Sequence, residues 1–197
     1  MISILIKLAE KGFLPDFLIR IGIRKLCKVR LDFAAESTPE IIEDHHQEWV
    51  KKMKDSPIAL VPEKANEQHY EVPPEFFVNV LGSNLKYSSG YWPTGTHSLD
   101  ESEIEMLNLS CERAELVDEQ NILELGCGWG SLTCHMANLY PNSKITAVSN
   151  SKDQKLFIEE KCEREGYRNI NVITADMNEF SSDLTYDRVV SIEMFEH

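Results

Sequence analysis

The sequence has no C-x-x-C pair, and its five cysteines, Cys27, Cys111, Cys127, Cys134 and Cys162, form no Cys/His spacing of the kind that holds zinc. That argues against a disulfide framework and against a metal site, and the thiols are expected to be reduced and mostly packed. No apolar run reaches the roughly 18 to 20 residues of a membrane span. The N-terminus also lacks a basic region leading into an uninterrupted apolar core and a small-residue cleavage site, so the expected location is cytoplasmic. Repeats and low-complexity tracts are absent too. Positive charge is scarce: 20 Lys and Arg stand against 33 Asp and Glu, a net charge of −13. Nucleic-acid binding, which depends on neutralising phosphates, is therefore not expected. What remains is a 197-residue chain with 42% hydrophobic residues. That is enough for one cored domain and an appendage.

The cations that are present gather at one end. Residues 1 to 31 hold seven Lys and Arg against Glu10 and Asp16, about +5, which leaves about −18 on the rest. Ile4, Leu5, Leu8, Phe17, Leu18 and Ile21 lie among them. Two readings are open: an amphipathic segment in peripheral contact with an anionic membrane, or helices packed on the main domain.

The most informative stretch is Ile122-Leu-Glu-Leu-Gly-Cys-Gly-Trp-Gly130, a buried strand running into a glycine-rich turn and a helix. Glycines at 126, 128 and 130 let the backbone turn sharply and come close to a ligand, and a helix start offers free N–H groups. Taken alone, this is also what a plain strand-to-helix turn needs for close packing. A dinucleotide fingerprint would want an acid about 20 residues on. That region reads Thr146-Ala-Val-Ser-Asn150 and has none. The acid instead sits at Glu124, two residues before the first glycine, where a carboxylate can receive the ammonium of a cofactor bearing an amino acid. S-adenosylmethionine fits that better than NAD.

Up to about residue 118 the pattern predicts helices near 2–11, 15–29, 38–54, 73–81 and 100–117. Thr38-Pro39 reads as a cap followed by proline at the first helical position, and Asp100 with Glu103 resembles a capping box. From 119 to 197 strands (121–126, 144–149, 170–175, 187–193) alternate with helices (130–140, 152–165). Apolar runs such as Ile145-Thr-Ala-Val148 and Val189-Val-Ser-Ile192 argue for parallel strands with crossover helices. The expected division is thus an N-terminal helical cap and lid, 1–118, and an α/β, partial doubly wound, Rossmann-like domain, 119–197. Ligands of such sheets bind at the carboxyl ends of the strands. Those ends are Glu124 to Gly130, Asn150, Asp176, and Glu193 to His197.

Six segments together resemble the cyclopropane-fatty-acyl-phospholipid synthase and coclaurine N-methyltransferase-like family of S-adenosylmethionine-dependent methyltransferases. They are Gln68-His-Tyr70, Lys86-Tyr-Ser-Ser-Gly-Tyr-Trp92, Leu123 to Ser131, Ala147-Val-Ser-Asn-Ser-Lys152 with Gln154, Ile173-Thr-Ala-Asp176, and Tyr186 to His197. The resemblance implies a class I methyltransferase fold whose last three strands are missing here, so a fragment, a truncated product or a homodimer completing the sheet is expected. It also implies Tyr87 and Ser88 as a lid on the methionine part of the cofactor, with Gly126 and Gly128 as its floor. Asn150 and Gln154 are implied as ribose-side contacts, Asp176 and Met177 as adenine-edge contacts, and Ile192 as an apolar wall. Structural duties compete at three of these positions. Ser151 and Gln154 form a capping box, Asp176 suits a turn cap, and Ser88 suits a turn hydroxyl.

Glu193, Glu196 and His197 carry the expected chemistry. A protonated amine needs a base before it can take a methyl group, and acids beside a histidine suit a cationic substrate. The plain alternative is a solvated acidic loop. Glu193 stands where the fatty-acid branch has glycine, and Ser89 where it has cysteine, which favours a small amine as methyl acceptor. Carboxylates can also stabilise a carbocation, so methyl transfer to unsaturated lipid stays open. A non-catalytic cofactor-binding fragment is the third reading.

Overall fold

The computed structural model of the chain describes residues 2–36, 38–58 and 73–194. Two compact units divide it, Met1–Ser56 and Pro57–His197. The stretch from 73 to 118, expected with the helical cap, thus falls in the same unit as the sheet.

The first unit holds α1 (Ile2–Glu10), α2 (Asp16–Glu36) and α3 (Pro39–Asp55). Gly12, at a φ of +72°, ends α1 and lets Phe13 N–H reach the Leu8 carbonyl at 2.9 Å. Thr38 caps α3 as expected, its hydroxyl accepting from Ile41 N–H, with Pro39 at the first helical position. Among the described residues no helix is long and apolar enough to cross a membrane.

The second unit holds α4 (Pro74–Val80), α5 (Leu99–Arg113), β1 (Asn121–Leu125), α6 (Ser131–Leu139), β2 (Lys144–Ser149), α7 (Lys152–Glu165), β3 (Ile170–Thr174) and β4 (Arg188–Ser191). Its described strands form one parallel sheet in the order β3-β2-β1-β4. The central strands β1 and β2 read as near-continuous apolar runs because both of their faces are covered. Ile122, Ile145 and Val190 pack with Leu107 and Cys111 of α5 and Leu132 and Met136 of α6. Ala147 and Val172 pack with Ile158 of α7. The chain winds outward from β1 to β3 and then returns to the other side of β1. The topological switch, where ligands of such sheets sit, therefore lies between β1 and β4.

Two local expectations are corrected. Helix α5 is capped by Ser98, whose hydroxyl accepts from Glu101 N–H at 3.2 Å while Glu101 accepts from His97 N–H at 2.7 Å. Asp100 and Glu103 have other work, described below. The same helix stops at Arg113 instead of 117, because Glu115 turns left-handed at a φ of +52°.

Candidate cofactor site

The glycine turn is built on β1 and pinned to β2. Gly126 and Cys127 both donate N–H to the Val148 carbonyl, at 2.9 and 3.1 Å. Gly126, Gly128 and Gly130 take φ values of +77°, +54° and +78°, a conformation costly for other residues. Their surroundings separate their duties. A Cβ on Gly130 would come within 2.7 Å of Ile158 Cγ1, so that glycine serves the close approach of α7. A Cβ on Gly128 would meet no atom within 4 Å and would project into open space beside the turn. Helix α6 then starts without a side-chain cap, and its first residue, Ser131, borders the same space.

That space is a cavity of about 290 Å³ at the switch point. Glu124, Gly126, Cys127, Gly128 and Ser131 of the turn and helix start line one side. Ile192 and Glu193 after β4, Gln154 of α7, and Lys86, Tyr87 and Ser88 of the preceding loop also line the cavity. Phe77, Leu85 and Trp129 form an apolar cluster behind the loop, with the Phe77 ring centroid 5.2 Å from Trp129 and 5.4 Å from Tyr87.

The polar groups in the cavity are unevenly matched. Glu124 is buried, and Thr133 Oγ1 donates to its Oε2 at 2.5 Å. Burial raises its carboxyl pKa to about 7, against the smaller opposing effect of that hydrogen bond. Gln154 is buried as well; its Oε1 accepts from Ser149 Oγ at 2.6 Å, while its Nε2 has no partner. Ser131 Oγ is also unpartnered. Buried polar groups without partners are rare, and two on one cavity are what a polar ligand would complete. Burial pushes the Cys127 thiol upward, which leaves it inert as a nucleophile.

The loop is held by acids from α5. Glu103, 1% exposed, accepts N–H from Gly82 at 2.8 Å, Asn84 at 3.0 Å and Lys86 at 3.3 Å. Asp100 accepts from Ser83 N–H at 2.6 Å. These carboxylates, read from sequence as a capping pair, clamp the segment that carries Lys86, Tyr87 and Ser88.

Eight of the expected residues thus meet on one cavity: Tyr87, Ser88, Glu124, Gly126, Gly128, Gln154, Ile192 and Glu193. Asn150, Asp176 and Met177 follow β2 and β3 and are not among its lining residues. Asp176 accepts Asn178 N–H at 2.8 Å, the turn-cap role open to it from sequence. At Gln154 only the serine half of the box forms. Its N–H donates to Ser151 Oγ at 3.3 Å, but its side chain faces the cavity instead of closing the box. Glu196, His197 and Gln68 to Tyr70 lie outside the described residues. Lys86 and Trp129 carry no site role in the sequence reading, and Glu103 carries only a capping one; a lysine in a loop reads as a solvated charge. Glycines with room for a ligand, orphaned donors at Gln154 and Ser131, and a buried acid fit a nucleoside cofactor carrying an amino acid.

The mycolic acid cyclopropane synthetase family model matches residues 61–197. (S)-coclaurine N-methyltransferase of Thalictrum flavum subsp. glaucum is 40% identical over 193 residues, 98% of this chain and 54% of that protein. The crystal structure of coclaurine N-methyltransferase bound to N-methylheliamine and SAH matches with a TM-score of 0.87 at 40% identity, covering 98% of this chain and 56% of that one. A mycolic acid cyclopropane synthase complexed with SAH and CTAB matches with a TM-score of 0.61 at 29% identity, over 70% and 48%. The chain spans about half the length of the curated relatives it matches. Its parallel sheet with crossover helices is the class I methyltransferase-like fold, and the chain belongs to the mycolic acid cyclopropane synthetase family.

Proposed function

We propose that the cavity binds S-adenosylmethionine and that the protein transfers its methyl group to a small amine of the tetrahydroisoquinoline type. The observation that carries this reading is the placement of Glu193 on the same cavity as Glu124, Gly128 and the unpartnered Gln154 Nε2. The likeness to an amine methyltransferase at 40% identity supports the choice of acceptor. When bound, the cofactor supplies a methyl group on a sulfonium.

The chain's own residues position and exclude water. Glu124 receives the ammonium of the amino-acid end. Gln154 Nε2 and Ser131 Oγ donate to polar edges of the ligand, and the aromatic cluster behind Tyr87 keeps the loop side dry. Asn150, Asp176 and Met177 belong to the adenosine end, at the neighbouring strand ends. Glu193, with a φ of +51°, is held in a conformation unusual for a side-chain-bearing residue, at the strand end facing the acceptor. It attracts the protonated amine, and Glu196 and His197 take its proton so that the nitrogen lone pair is free. Free thiols at all five cysteines fit a reducing, cytoplasmic setting.

A second reading, methyl transfer to unsaturated lipid, is favoured by the exposed Phe17, Leu18 and Ile21 interleaved with Arg20, Arg24 and Lys25 on α2, a pattern suited to an anionic membrane surface. Supplying methyl-labelled cofactor with a tetrahydroisoquinoline or with unsaturated phospholipid vesicles separates the two. Labelled amine is expected; label only in the lipid contradicts the amine reading, and binding without turnover on either leaves the chain a cofactor-binding segment. Glu193→Gln, Glu196→Gln and His197→Ala are each expected to lower turnover at least tenfold with cofactor affinity nearly unchanged, the scale of general acid–base assistance. Wild-type turnover in all three removes the role given to them.

A further inference from the structure

Lys86 stands where a cation is costly. It is 6% exposed and lines the cavity. Its ammonium donates to Ser88 Oγ at 2.5 Å, and among the described residues no carboxylate lies within ion-pairing distance of it. Burial lowers its pKa, an effect that Glu193 and Glu103 oppose from farther away. Glu103 already accepts three backbone N–H groups. A lysine ammonium has three donors, of which one is used here within the described residues, and a buried charge without a counter-ion is unfavourable. Glu124 lines the same cavity, is also buried, and among the described residues has no cationic partner.

A cavity with one buried acid and one buried, under-satisfied base suits a zwitterion. We infer that Lys86 is a ligand-binding residue that receives the α-carboxylate of the cofactor's amino-acid end while Glu124 receives its ammonium. This rests on the cofactor reading above and adds to it a charge partner and a source of selectivity. The pair rejects ligands missing either pole, since each would leave a buried charge unmatched. The clamp from Glu103 then has a purpose, because one of the three backbone N–H groups it holds is that of Lys86 itself.

The test compares three ligands by calorimetry: S-adenosylhomocysteine, its α-carboxamide, and 5′-methylthioadenosine, which lacks the amino-acid end. The wild-type chain is expected to bind S-adenosylhomocysteine at least about tenfold more tightly than the carboxamide, the scale of a charge-assisted hydrogen bond. Lys86→Met is expected to abolish that preference and leave methylthioadenosine affinity within about twofold, since hydrogen bonds elsewhere are untouched. Equal wild-type affinity for acid and carboxamide overturns the assignment without any variant. So does a Lys86→Met protein that keeps the preference, or one that weakens all three ligands alike. Failure of the wild type to bind any of the three instead contradicts the cofactor reading.

Discussion

At the scale of residues, Glu124 is the most sensitive reporter. Its carboxyl titrates near 4.5 when solvated and near 7 in the fold. A raised acid pKa means that the folded state holds the proton after the unfolded state has lost it. Stability attributable to this group is therefore full below pH 4.5 and falls as pH rises to about 7, by about 3 kcal/mol. Urea unfolding at pH 5 and pH 8 should show the wild type losing stability relative to Glu124→Gln; parallel curves would contradict the buried titration. A ligand ammonium beside Glu124 favours the ionised form. Binding near pH 6 should release a proton, seen as a dependence of binding heat on the buffer's ionisation enthalpy.

The glycines divide in the same way. Gly130→Ala forces a methyl group against Ile158 at a positive φ, and a loss of about 2 kcal/mol or more in unfolding free energy is expected. Gly128→Ala meets no neighbour and should cost only about 1 kcal/mol of stability, from its backbone conformation, while weakening cofactor binding more than Gly130→Ala does. Thermal melts paired with ligand titration check both.

At the scale of elements, the loop before α5 behaves as a clamped lid. Replacing Glu103 by Gln keeps the shape but weakens three N–H bonds made to a charge, and should lower melting temperature and cofactor affinity together. Asp100→Asn loosens Ser83 alone, at an exposed position, and should do less. The strands and helices of the sheet were legible in the sequence because buried parallel strands are apolar throughout, as at Ile145 to Val148, and because Ser151 marks the start of α7. The end of β4 was less legible. The apolar run continues to Ile192, but Glu193 turns left-handed and the strand stops at Ser191. The clamp was hidden for a different reason: Asp100 and Glu103 carry a local capping pattern, and their true partners lie 17 to 21 residues away. Lys86 was hidden by its chemistry, since a lysine in a polar loop is ordinarily solvated.

At the scale of the whole molecule, the sheet and the loop before it form one unit and the first three helices another. Among the described residues β3 and β4 each have one neighbour, and Val189 on β4 is exposed. The described residues that line the cavity belong to the second unit. Calorimetric titration of the folded chain with S-adenosylhomocysteine tests whether this cavity is an S-adenosylmethionine site. Saturable binding at one site per chain is expected, with proton release near pH 6. A chain shown by circular dichroism to be folded and giving no binding heat at any pH from 6 to 8 would contradict it.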